Sequence, residues 1–226
     1  MSRFVSAGRT DVGKLRRRNE DAVLVRDEVG LWAVADGIGG HAAGDFASAM
    51  IVERLGALAR TGSGLAFVEA IEDALVQVNA DLLDNAAARG VDLVGSTVVV
   101  LVAAEQRFYC GWAGDSRVYR FEAGRLVRLT RDHVHGSGND GAGTAPLTRA
   151  VGVTKELRLD WVVADDRAGA QFLLCSDGLN KEMSDEELAA EFRRGLKPAA
   201  LVDTLFETAL RRGARDNVSA IVVSLI

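Results

Sequence analysis

Proline is nearly missing from this 226-residue chain, in which only Pro146 and Pro198 occur. With 48% apolar and 26% charged residues, the composition is that of a globular protein and excludes disorder, a collagen repeat and a coiled coil. Cysteine is equally scarce. Cys110 and Cys175 sit in the apolar runs FYCGW and FLLCSD, far from a second Cys or a His at zinc spacing, so they read as reduced core residues. No apolar run approaches the ~20 residues of a membrane span, and the opening MSRFVSAGRTD lacks the apolar stretch of a signal peptide, so a cytoplasmic location without membrane contact is expected. Charge of one sign is not in excess either: 27 basic and 32 acidic residues are mixed along the chain, giving a net charge of −5, which argues against a nucleic-acid groove or a polybasic tether. The length predicts a single domain over 1–226. A domain of that size buries roughly 70 to 75% of its unfolded surface and needs no structural metal, so any metal it holds is functional.

Helical periodicity predicts two successive helices, at Ala42–Ala59 (Phe46, Met50, Ile51, Leu55, Leu58) and Leu65–Ala88 (Phe67, Ile71, Leu75, Val78, Leu82), separated by the break Thr61-Gly62-Ser63-Gly64. Two more are expected late, at Ser184–Arg194 and at Pro198–Gly213, the second with proline in its first turn and glycine at its end. Most of the remainder reads as strand: Ala22–Arg26, Leu31–Ala35, Ser96–Ala104, Arg107–Ala113, Arg117–Phe121, Gly124–Leu129, Leu157–Val163, Ala170–Cys175 and Asn217–Leu225. Short polar turns between strands imply hairpins, hence mainly antiparallel sheets, with helix pairs as outer layers. The fold class is α+β. Gly136–Thr144 is a glycine-rich stretch expected to form a flexible loop.

Three apolar strand runs end on aspartate: LWAVAD at Asp36, FYCGWAGD at Asp115 and FLLCSD at Asp177; a fourth, Asp216, precedes the last strand. A carboxylate beside a buried strand must be paired, protonated or neutralised, because desolvating it alone costs several kcal/mol. Asp36-Gly37 and Asp177-Gly178 could each be a turn dipeptide. As a set, without matching Lys or Arg, the acids point to a divalent cation, since Mg²⁺ and Mn²⁺ prefer carboxylate, carbonyl and water oxygens.

Gly37-Ile38-Gly39-Gly40-His41-Ala42 formally matches a dinucleotide-binding loop, but that reading needs a parallel strand after the helix, and a second helix follows instead. Lys14 to Arg18 is the one basic cluster. Alone it reads as a solvated turn, yet Arg16-Arg17-Arg18 stands just ahead of Glu20-Asp21 and the first of these strands. Arginine is the side chain best shaped to hold a pair of phosphate oxygens, so beside a dinuclear metal site this segment would complete a phosphoryl-transfer centre.

RRRNED, VADGIGGHAAGD, GST, WAGDSRVYRF, LTRDH, LTRAVG, LLCSDGL and GARDNVSAIVV occur in this order from about Gly8 to Ile226. The chain thereby resembles the metal-dependent protein serine/threonine phosphatases of the PPM, or type 2C, family. The resemblance implies a four-layer α-β-β-α sandwich of two mainly antiparallel sheets flanked by helix pairs, with the site at one end of the sheets. It implies hydrolysis of phosphoserine and phosphothreonine on proteins by a water activated on two Mn²⁺ or Mg²⁺ ions, opposing a bacterial Ser/Thr kinase. Carried over by motif, Asp36 bridges the two ions, the carbonyl of Gly37 binds one, and Asp177 and Asp216 bind the other. Glu20 and Asp21 act through metal-bound water, Arg16 holds the substrate phosphate, and Asp115 matches the ligand of a third, weaker ion.

Two departures stand out. Many members carry a general-acid histidine directly after the Asp-Gly, where this chain has Ile38; His41 is the nearest candidate, with a local hydrogen-bonding role as the alternative. The long flap of bacterial members is replaced by Val134–Pro146, which weakens any expectation that a flap selects substrate; His133 and His135 beside it are assigned no catalytic role. Neither Cys fits a nucleophile role, and no phosphoenzyme is expected. A monomer acting on phosphoproteins is expected, the competing reading being a pseudophosphatase that binds without turnover.

Overall fold

The computed structural model describes residues 4–39, 43–136, 146–165 and 167–225. The chain runs β1 (Phe4–Asp11), β2 (Asp21–Arg26), β3 (Leu31–Ile38), α1 (Gly44–Gly56), α2 (Gly64–Arg89), β4 (Gly95–Ser96), β5 (Val98–Ala104), β6 (Arg107–Ala113), β7 (Arg117–Glu122) and β8 (Arg125–Arg128). It continues through β9 (Asp160–Asp165), β10 (Gln171–Cys175), α3 (Asp177–Asn180), α4 (Asp185–Arg193), α5 (Pro198–Arg212) and β11 (Val218–Leu225). One sheet has the order β1-β11-β10-β7-β8, the other β2-β3-β5-β6-β9 with β4 beside β3. All ladders are antiparallel.

Three apolar layers build the four-layer sandwich. On one side α1 and α2 bury Ile51, Leu55, Ile71, Leu75 and Val78 against the odd residues Leu31, Ala33 and Ala35 of β3. The even residues Trp32 and Val34 face inward, meeting Phe172, Leu174, Ile221 and Val223 of the other sheet. The odd or even partners of those residues, Leu173, Cys175, Ala220 and Val222, pack outward on Leu188, Phe192, Leu201, Leu205 and Phe206 of α4 and α5. This is the period-two rule applied to both faces of both sheets. β5, covered on both faces, is buried at every residue, which is why its sequence reads as an unbroken apolar run.

Helix ends follow local chemistry. Ser63 caps α2, accepting from the Ala66 amide at 3.1 Å, and Gly90 closes it in the left-handed conformation. Ser184 and Glu187 form a reciprocal capping box on α4, and Pro198 starts α5. Both cysteines are buried and unpaired. No helix among the described residues is long and apolar enough to cross a membrane.

The structure adds two elements and trims another. β1 carries no strand signal, because FVSAGRTD is half-exposed and holds a glycine, yet it pairs along its length with β11. Gly8 is needed there: a Cβ would lie 2.9 Å from Val25 Cγ2 and 3.2 Å from Ile221 Cγ1, where the edges of the two sheets meet. α3 is a single turn, too short for periodicity to reveal. The strand expected from Leu157 begins at Asp160, since β6 supplies partners only as far as Trp112, two residues before Gly114 turns the chain at φ 120°.

Candidate active site

At one end of the inter-sheet layer the inward-facing positions change from apolar to polar. Asp36 continues the Trp32–Val34 face of β3, and Asp21 sits directly opposite it on β2. From the other sheet, Ser176 and Ser219 continue the inward faces of β10 and β11. Ser176 donates to Asp21 Oδ2 at 2.7 Å and accepts from the Ser219 amide at 3.0 Å, joining the two sheets beneath the acids. Asp177 then opens α3, and Asp216 stands just before β11.

These groups border a cavity of about 320 Å³ lined by Arg16, Glu20, Asp36, Gly37, Asp115, Asp177 and Asp216, together with Ile38, Thr97, Lys181 and Asn217. Of the residues expected from the sequence, all but two therefore meet in one pocket. Asp21 lies behind it, 8% exposed, and His41 falls outside the described residues. The neck of the short loop reaches the same pocket through Pro146 and Leu147; it is held by a bridge between Val134 and Leu147 and by His135 N donating to Pro146 O at 2.9 Å. His133 is engaged elsewhere: it stacks on Trp112, accepts from the Gly114 amide at 3.2 Å and contacts Asp160 Oδ2 at 3.1 Å.

The Asp-Gly pairs are not simple turns. Neither Gly37 nor Gly178 has a positive φ. Both are glycine because other backbone passes too close: a Cβ on Gly37 would fall 2.1 Å from Gly44 O, and one on Gly178 would fall 1.9 Å from Asn217 O. These contacts press the N-terminus of α1 and the start of β11 against the two aspartates. Beneath Asp36, Thr97 Oγ1 accepts from its amide at 3.2 Å and shares a 2.7 Å hydrogen bond with Ser116.

Asn217 is one residue that sequence reading missed. Its Oδ1 accepts from the Glu20 amide at 2.9 Å, while Nδ2 donates to the carbonyls of Val12 at 2.8 Å and Arg18 at 2.9 Å. One side chain thus fastens the whole basic turn, including Arg16 and Glu20, beside Asp216. The only sequence trace is an amide residue next to a strand-end acid, a pattern many turns share.

The carboxylates outnumber their cations. Arg16 Nη2 donates to Asp216 Oδ2 at 2.9 Å, and Lys181 donates to Asp177 Oδ2. Burial, then the charges of Asp21, Asp177, Asp115 and Asp216, holds Asp36 well above the usual carboxylate range. Burial pushes Asp21 up to about 7 despite the Ser176 hydrogen bond, and burial with the nearby Asp177 charge pushes Asp115 up to about 6. Asp177 is raised by burial, with Lys181 opposing, and Glu20 by burial, then by Asp45. Asp21 Oδ1 and Asp177 Oδ1 are buried without a hydrogen-bond partner among the described residues. Such a set demands positive charge, and its donors are all oxygen, which suits a hard divalent cation. Among the described residues no three of these side chains already close into a ligand cage. Mg²⁺-type ions keep several waters and take one or two carboxylates, so an open acidic pocket fits them.

The sequence profile of the family described as Protein phosphatase 2C matches residues 15–220. This chain belongs to that family. It is 32% identical over 234 residues to the serine/threonine protein phosphatase PstP of Mycobacterium tuberculosis, covering 97% of this chain but 45% of PstP. The chain thus spans about half the length of that relative. It is 31% identical over 235 residues to the serine/threonine phosphatase stp of Listeria monocytogenes, covering 95% of this chain and 93% of that protein. Among solved structures, PppA, described as a key regulatory component of T6SS in Pseudomonas aeruginosa, superposes with a TM-score of 0.95 at 44% identity, covering 100% of this chain and 99% of PppA. The PstP catalytic domain in complex with two manganese ions superposes with a TM-score of 0.87 at 30% identity, covering 99% and 98% of the two chains. The two antiparallel sheets with flanking helices are the phosphatase 2C architecture, and the acidic pocket lies at the end of its sheets.

Proposed function

We propose that this chain, as one catalytic domain, hydrolyses phosphoserine and phosphothreonine on proteins with the help of two Mn²⁺ or Mg²⁺ ions. The observation that carries this reading is the gathering of Asp36, Asp177 and Asp216, from both sheets, on one pocket with too few cations to balance them. The manganese pair described for the PstP catalytic domain supports the same reading. When bound, two divalent ions supply an activated water for direct attack and offset the charge on the phosphoryl group.

The side chains divide the remaining work. Asp36 would bridge the ions from its place on the inter-sheet face, the Gly37 carbonyl would hold one, and Asp177 and Asp216 the other. Asp21, behind Asp36, and Glu20, clamped through its amide by Asn217, would orient water. Arg16 stands at the pocket wall with its guanidinium beside Asp216, where it can offer two parallel donors to a phosphate. Asp115 would serve a third ion. His41 remains the candidate proton donor to the leaving alkoxide.

The physiological target is proposed to be a phosphoprotein made by a cognate Ser/Thr kinase in the cytoplasm, with this chain acting as a monomer. The 44% identity to PppA supports a regulatory role of the kind described for T6SS. The reading is tested with a phosphothreonine peptide: turnover should need Mn²⁺ or Mg²⁺, vanish in EDTA, and fall at least about a hundredfold in kcat in Asp36→Asn, the scale of losing a principal electrostatic stabiliser. Turnover that survives excess EDTA overturns the metal mechanism. Phosphopeptide binding without turnover would favour the pseudophosphatase reading.

A further inference from the structure

Lys181 lies in this pocket and none of the roles above uses it. It is the C-cap of α3, one helical turn after Asp177, so the two side chains share a face. Its Nζ donates to Asp177 Oδ2 and stands 4.0 Å from Asp216 Oδ2, whose other neighbour is Arg16 at 2.9 Å. The side chain is 37% exposed and that of Asp177 12%, so the pair is shielded from bulk water on most sides. The backbone holds it there: Lys181 N donates to Asp177 O at 2.9 Å and Met183 N to Leu179 O at 3.0 Å, with Leu179 and Met183 buried in the α4–α5 layer.

Asp177 and Asp216 are the two carboxylates proposed to hold the same ion. We propose that Lys181 is a tethered counter-ion for that position: it neutralises Asp177 and Asp216 in the metal-free protein and must be displaced when a divalent ion binds. The inference rests on the dinuclear reading and adds an asymmetry to it. The ion at Asp177 and Asp216 meets a fixed ammonium at its ligand oxygens, whereas no Lys or Arg hydrogen-bonds or ion-pairs with Asp36 among the described residues. Repulsion between an ammonium and a dication in a partly dry site is stronger than in water. Lys181 therefore weakens this metal position relative to what its carboxylates alone would hold, and stabilises the fold without metal. It is a positioning residue and need not touch substrate.

Calorimetric titration of the metal-stripped full chain with MnCl₂ tests this. Wild type should bind in two steps. Lys181→Gln should tighten one of the two steps about tenfold, equivalent to roughly 1.4 kcal/mol, and leave the other within about twofold. Lys181→Arg, which keeps the charge, should bind as wild type does. In EDTA the melting temperature of Lys181→Gln should fall below that of wild type, and saturating Mn²⁺ should close the gap. A merely structural lysine would not tighten metal binding when removed. Unchanged or weaker Mn²⁺ binding in Lys181→Gln overturns the proposal while leaving two-ion binding by wild type intact. A wild type that binds no Mn²⁺ overturns the dinuclear reading and this inference together. If Lys181→Gln unfolds without metal, the manganese-loaded protein is titrated with chelator instead. More chelator than wild type needs supports the tethered counter-ion, and equal or less refutes it.

Discussion

Asp21 offers the sharpest link between site and stability. It is nearly buried, faces Asp36 across β2 and β3, accepts one hydrogen bond from Ser176 and leaves Oδ1 without a partner among the described residues. In the folded protein its carboxyl keeps its proton up to about 7, against an ordinary value of 3.8. Between those two values the native chain binds more protons than the unfolded chain, so metal-free stability falls as pH rises through this window and the decline is complete above about 7. At 1.36 kcal/mol per tenfold change in proton affinity, the loss is on the order of 4 kcal/mol. Asp115, pushed up to about 6, adds in the same direction. For a chain of this length each kcal/mol moves Tm by roughly 2 to 4 °C. About 3 kcal/mol of the Asp21 loss falls between pH 5 and pH 8, so on this account alone wild type in EDTA should melt roughly 6 to 12 °C lower at pH 8 than at pH 5. Asp21→Asn keeps an acceptor for Ser176 and removes the charge; it should flatten that slope and melt above wild type at pH 8 in EDTA. Saturating Mn²⁺ should restore wild type at pH 8 more than it restores the variant. Scanning calorimetry from pH 5 to 8 decides it. A flat or rising wild-type profile, or an Asp21→Asn protein that melts lower at pH 8 in EDTA, refutes the reasoning.

Gly178→Ala should cost about 3 kcal/mol, because its Cβ would sit 1.9 Å from Asn217 O and only a backbone shift relieves that; Gly56→Ala, whose Cβ meets nothing nearer than Leu24 Cδ1 at 3.5 Å, is the control and should be neutral or stabilising in urea melts. Asn217→Ala removes three hydrogen bonds to the segment carrying Arg16 and Glu20, so amide exchange across residues 12–20 should accelerate and KM for a phosphopeptide should rise. Protection of residues 12–20 equal to wild type would show that Asn217 is not the clamp.

The acids were legible because each ends an apolar run: LWAVAD and FLLCSD announce a buried strand and then a charge that the strand cannot shelter. The hairpins were legible from turn spacing, and the layers from the pairing of helices. Other features had no local signal. β1 is an edge strand whose partner, β11, lies some two hundred residues away, and its half-exposed pattern follows from that pairing alone. Asn217 acts through contacts to Val12, Arg18 and Glu20, which no spacing within RDNVS foretells. Lys181 could have been found as an i,i+4 partner of Asp177, but only after α3 was known to be helical.

The site is expensive to hold and the fold shows how it is held. Four layers leave the inter-sheet faces dry along most of their length, and Trp32, Phe172 and Ile221 are fully buried there. On those same faces, two residues beyond Val34 and two beyond Leu174, stand Asp36 and Ser176, so the packing that fixes the apolar pairs also fixes the spacing of the polar ones. The acids cannot splay apart to relieve their repulsion without sliding whole strands, and the registers Asp21↔Asp36 and Cys175↔Ala220 oppose such a slip. Repulsion that cannot relax geometrically must be relieved chemically, by protons at low pH, by Lys181 and Arg16 near Asp177 and Asp216, or by divalent ions. Rigid strands thus convert crowded carboxylates into cation affinity, which a flexible loop bearing the same residues would dissipate by moving them apart.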